Sequence, residues 1–213
     1  MTSRKLVGLF FKTLLLGGGA GLLASFIVEW DQYAKVMNPF DAMEMLGLIV
    51  FFIGLGLVFS AVSQTGFFAY LFINQFGLGI FRSYWRLVQI LLVLFVVFDL
   101  IYFPYQEAKG GKPLYLFILM AGAILIYGLL VAKIKAKQTN RTAFVPALFL
   151  MVVMTTLEWV PGLRVSGYDY ALLMIVPLLV CNTYQLLMLH KLSRKEESKV
   201  PVKKTSNAKV AKA

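Results

Sequence analysis

The chain has 213 residues, one ordinary domain by length, yet 60% of them are hydrophobic and only 15% are charged. Soluble domains carry about 25% charged and about 45–50% apolar residues. The composition therefore excludes an ordinary water-soluble globule and points to a multi-pass helical membrane protein with membrane lipids around it. The formal net charge of +11 suggests a nucleic-acid partner only until its placement is considered, because basic residues also mark the cytoplasmic ends of membrane helices.

Six apolar segments follow one another along the chain, each close to the ~20 residues that span a bilayer as a helix. The first is Leu6–Val28, preceded by Arg4 and Lys5. Its length, the internal Lys12 and the lack of a small-residue cleavage site argue against a signal peptide. Its "GGGAG" places Gly17 and Gly21 four residues apart, a spacing that lets two helices approach closely, and the partner expected is a helix of the same chain. The same glycines form only a loose dinucleotide fingerprint, which would need a preceding strand that is not there.

The second segment is Glu44–Ser63. "QTGFFAYLFINQFGLGIF", Gln64–Phe81, comes next, apolar and aromatic but interrupted by Gly66, Gly77 and Gly79. It fits an extension of the second helix, an interfacial segment or a re-entrant one. The third segment, Leu87–Phe103, contains a single charge, Asp99. The fourth is Pro113–Ala132. The basic stretch Lys133–Arg141 follows, and its "NRT" glycosylation sequon is read as chance because the charge bias places it inside. The fifth segment, Phe144–Val160, carries Glu158. The sixth, Tyr170–Leu189, carries the one cysteine, Cys181, which rules out an internal disulfide. The one histidine, His190, closes it at the interface. Residues 193–213 are Lys-rich without an apolar face and read as a disordered cytoplasmic tail beyond a transmembrane domain of residues 1–192.

With six helices and the N-terminus inside, seventeen of the twenty-one basic residues fall on the inner side, leaving Lys35, Lys109, Lys112 and Arg164 outside. Basic residues resist translocation, so the expected topology is N-in and C-in. That placement accounts for the net charge without nucleic acid. Continuous apolar runs, not period-2 alternation, favour helices over barrel strands.

No catalytic, metal or cofactor motif is present: no H-E-x-x-H, C-x-x-C, Walker loop or nucleophile elbow, and one histidine cannot make a multi-histidine metal centre. An enzyme is not expected. Asp99 and Glu158 are the acids deepest in apolar sequence, each placed near the outer end of its helix. Such charges are costly and often functional. Two readings stand for them, polar anchors near the headgroups or a functional cation, proton or ligand site. Under the second, the chain would be a small transporter or ligand-binding membrane protein with both acids on a shared cavity.

The stretches "LFFKTLLLGG", "SQTGFFAYLFINQFGLGIFRSYWRLVQILLVLFVVFDLIYF", "YGLLVAKIKAKQTN", "LEWVPGLRV" and "CNTYQLLML" resemble the KinB-signalling-pathway activation (KbaA) family of spore-forming Bacillus-type bacteria, over residues 1–192. The resemblance implies an integral membrane protein of the cell membrane required to activate the sensor histidine kinase KinB, which feeds phosphate into the relay that starts sporulation. It carries no catalytic motif over. On this reading the contact with the kinase is between membrane helices, and the expected contact residues are Gln64, Phe67, Phe68, Gly77 and Gly79, with Lys133, Lys135 and Lys137 of the basic loop.

Overall fold

A computed structural model describes residues 3–38, 40–107, 113–165 and 167–197. The basic tail beyond residue 197 and the side chains of Arg4, Lys5, Lys109, Lys112, Arg164 and His190 lie outside the described residues. All regular structure among those described is helical. The elements are α1 (Ser3–Val28), α2 (Trp30–Met37), α3 (Ala42–Phe81), α4 (Trp85–Glu107), α5 (Leu114–Gln138), α6 (Phe144–Phe149), α7 (Thr155–Val165) and α8 (Gly167–Glu197). A π turn at Leu150–Met154 joins α6 to α7 without a break. Among the described residues, five stretches are long and apolar enough to cross a membrane, and one of them, Ala42–Gln106, runs through both α3 and α4.

The ends of several helices follow from local chemistry. The Asp41 carboxylate accepts from the amides of Met43 (2.9 Å) and Glu44 (3.2 Å), capping α3. Asn140 of the sequon accepts from the Ala143 amide at 3.0 Å and so opens the turn before α6. Lys135 and Lys137 fall in the last turn of α5, where the helix dipole favours cations.

Gln64–Phe81 is helical and continuous with the second segment. The resulting α3 has 40 residues, about 60 Å at 1.5 Å per residue. The chain breaks at Arg82 instead, whose φ of 47° stops the helix and leads into the 3₁₀ turn Arg82–Tyr84. There the hairpin is pinned. Asn74 Oδ1 accepts from Trp85 Nε1 at 2.9 Å and from Gln89 Nε2 at 3.2 Å, and Gly77 lies against the Trp85 ring where no side chain would fit.

α1, α3 and α8 pack as one group and α4, α5 and α6 as another, with α7 and the π turn between them. Gly17 and Gly21 of α1 meet Ser60 and Gly56 of α3, so a Cβ on Gly21 would lie 2.6 Å from the Gly56 Cα. The close approach expected of the glycine pair is made within the chain. Phe59, Phe67, Ala121, Ile124, Leu148, Leu178 and the π turn form the main core, in which Leu150, Met151 and Val152 are wholly buried. Large apolar side chains such as Leu15, Ile27, Phe51 and Phe95 point outward from the helices. An oily exterior around a packed core fits a membrane protein.

The short α2 was not anticipated. Its Tyr33 is buried, bonds to Ser25 of α1 at 2.8 Å, and packs with Ala24, Phe52 and Leu173.

Candidate functional site

Polar residues enter the apolar helices at spacings of three and four, which put them on one face. Ser60, Ser63 and Gln64 share a face of α3, Thr155 and Glu158 one of α7, and Asn182 and Gln185 one of α8. Packing turns these faces toward one another, with Thr13 of α1 closing the set. The result is a buried polar cluster at the junction of four helices.

Its hydrogen bonds run in one direction. Gln185 Nε2 donates to Ser63 Oγ (2.9 Å), Ser63 Oγ to Asn182 Oδ1 (2.8 Å), and Asn182 Nδ2 to Glu158 Oε2 (2.8 Å). Asn182 Nδ2 also donates to Thr155 Oγ1 at 2.9 Å. The Thr155 hydroxyl in turn donates to the Leu150 carbonyl at 3.2 Å, five residues back, a carbonyl of the π turn. π turns recur at functional sites because they redirect the side chains that follow them. On the α1 side, Ser60 Oγ donates to the Thr13 carbonyl at 2.9 Å, with Cys181 Sγ 3.5 Å from Ser60 Oγ.

Glu158 is only 8% exposed, and its Oε1 has no hydrogen-bond partner among the described residues. The carboxyl rests on Gly66 of α3. A Cβ there would lie 2.5 Å from Cδ and 2.8 Å from Cγ of Glu158 and would overlap the free oxygen. The sequence placed Glu158 near a helix end; the structure turns its carboxyl into the protein against α3 and α8 instead. The Thr156 hydroxyl is also buried without a partner among the described residues.

Asp99 is half-buried on α4, between the buried Val96 and Leu100, and takes no part in this network. The shared cavity for Asp99 and Glu158 is therefore not formed by the described contacts. Of the eight expected partner contacts, Gln64, Phe67, Gly77 and Lys135 are buried within the chain, whereas Phe68, Gly79, Lys133 and Lys137 are exposed. Lys135 Nζ donates to the Leu186 carbonyl of α8 at 2.6 Å. No three His, Cys, Asp or Glu side chains converge as metal ligands among the described residues. Gln64, Phe67 and Gln185 line a small apolar pocket with Leu6, Leu9 and Leu189, at the edge of the polar cluster.

Residues 17–192 match the family model described as KinB-signalling pathway activation in sporulation, KbaA. The chain belongs to the KbaA family. Within that family it is similar to the KinB-signaling pathway activation protein of Bacillus subtilis (strain 168), with 41% identity over 198 residues, 92% of this chain and the whole of that relative. No solved structure matches. The KbaA match takes in α3, α7 and α8 up to residue 192, and with them every network residue except Thr13.

Proposed function

We propose that this chain is a multi-pass protein of the cell membrane that activates a KinB-type sensor histidine kinase at the start of sporulation, as a non-enzymatic accessory. The observation that carries this reading is the match over the whole length of a relative named for KinB-signalling pathway activation. Six crossings, N-in and C-in, follow if α1, α3, α4, α5, the α6–α7 run and α8 each span once. The reversal at Arg82–Tyr84, which separates α3 from α4 inside one long apolar stretch, supports that count.

Contact with the kinase is through helix faces. A membrane helix pair gains little from oil meeting oil, so fit and small polar contacts decide the partner. The exposed Phe68, Phe72 and Phe76 share one face of α3, and Lys133 and Lys137 stand exposed at the end of α5. A partner that binds the active form of the kinase better by a few kcal/mol suffices to switch it.

The test is deletion of the gene in strains with and without the kinase, reading sporulation frequency and relay phosphorylation. The expected result is a defect that adds nothing once the kinase is absent. An equal defect in both backgrounds refutes the reading. Charge reversal at Lys133 and Lys137, with Phe68→Ala, should lower kinase output at normal protein levels.

A further inference from the structure

The polar cluster holds the Glu158 carboxyl, buried to nine-tenths, one of whose oxygens has no partner among the described residues. A carboxylate in such a place costs heavily unless a positive charge joins it. Among the described side chains, the helices around it supply none. α3 presents Ser60, Ser63 and Gln64, α8 presents Cys181, Asn182 and Gln185, and α1 presents Thr13. The other buried titratable groups among the described residues are engaged elsewhere or apolar in setting. Lys135 bonds to the Leu186 carbonyl, Tyr33 to Ser25, and Tyr70 packs on Phe67 and Phe149. All the donors of the chain Gln185, Ser63, Asn182 point toward Glu158, an arrangement that favours negative charge at its end.

We propose that this cluster binds one small monovalent cation, a proton or an alkali-metal ion, on the Glu158 carboxyl. The proton would sit on the unpartnered Oε1. An alkali ion would bind the same carboxyl stripped of water, since the group is buried against Gly66. Either occupant neutralises the group through which α7 meets Gly66 of α3 and Asn182 of α8. Because Thr155 links the same network to the Leu150 carbonyl, occupancy also bears on the π turn at the centre of the core. This inference is independent of the kinase reading.

The test uses the full-length protein in lipid nanodiscs. Thermal unfolding is followed in sodium, potassium and choline chloride at constant ionic strength, and from mildly acidic to mildly alkaline pH, for the wild type and Glu158→Gln. A saturable upward shift in sodium or potassium over choline, lost in the variant, identifies an alkali ion. A pH dependence lost in the variant, with the three salts alike, identifies the proton. Identical responses of both proteins to every salt and pH overturn the proposal. Should Glu158→Gln fail to fold, infrared difference spectra of the wild type between the same conditions serve instead. A change in a buried carboxyl band that moves in Glu158→Asp supports the site, and spectra without one overturn it.

Discussion

Gly56→Ala tests the packing of α1 on α3. The added Cβ would lie 2.5 Å from the Gly17 carbonyl oxygen, 3.0 Å from the Gly18 Cα and 3.1 Å from the Gly18 oxygen. All three are backbone atoms, so no rotamer relieves the overlap. Restoring an ordinary 3.4 Å from 2.5 Å means opening the helix pair by about 0.9 Å at this point. Overpacking of this kind costs about 1–3 kcal/mol, toward the upper end because backbone must move. Alanine returns up to about 1 kcal/mol of helix propensity. The expected net loss is about 1–2 kcal/mol. Gly54, two residues earlier, has nothing within 4 Å of its Cβ position. Gly54→Ala should therefore be neutral or stabilising by up to about 1 kcal/mol. The assay is reversible unfolding in mixed micelles by titration with a denaturing detergent, followed by helical circular dichroism. Equal shifts for the two alanines would refute the packing argument. Gly21→Ala added to Gly56→Ala should cost less than it does alone, since the helices are already apart.

Three further outcomes are expected. Gly66→Ala should destabilise the wild type by displacing the Glu158 carboxyl from Asn182, yet be neutral or stabilising in a Glu158→Ala background. A double-mutant cycle should give a coupling of about 1–2 kcal/mol, and a cycle near zero would remove the Gly66–Glu158 contact from the account. Arg82→Gly should hold or raise stability by about 1 kcal/mol, because φ of 47° strains any side chain, whereas Arg82→Val should lower it; the detergent titration of both variants reads the order, and valine tolerated as well as glycine contradicts this turn. Asn74→Ala strands the Trp85 and Gln89 donors and should cost about 1 kcal/mol, with a shift in Trp85 emission when Trp30 and Trp159 are replaced by Phe. Unchanged emission would mean that Trp85 is not held there.

Several features were legible because they are local. The apolar runs mark helices by their length and composition, one stretch at a time. Gln64–Phe81 was harder, since Gly66, Gly77 and Gly79 suggest a broken segment. A glycine in a helix costs only about 1 kcal/mol, and two of these sit where a neighbour leaves no room for a side chain, Gly66 under Glu158 and Gly77 under Trp85. Nothing in the structure explains Gly79. The eight residues of α2 are too few to show a firm period, and Tyr33 holds them by reaching back to Ser25.

The sequence by itself determined the class of molecule, its helical segments and the spacing of glycines that lets helices touch. Those properties are sums or periods along the chain, read one helix at a time. Only the tertiary structure decided that Ser63, Glu158 and Asn182 meet while Asp99 stands apart. Each helix carries its polar residues on a definite face, but which faces meet depends on the crossing of α1 on α3 at Gly56 and on the extra residue of the π turn, which rotates α7. Rotation and partner choice are properties of packing between distant segments, and no window of the sequence contains them.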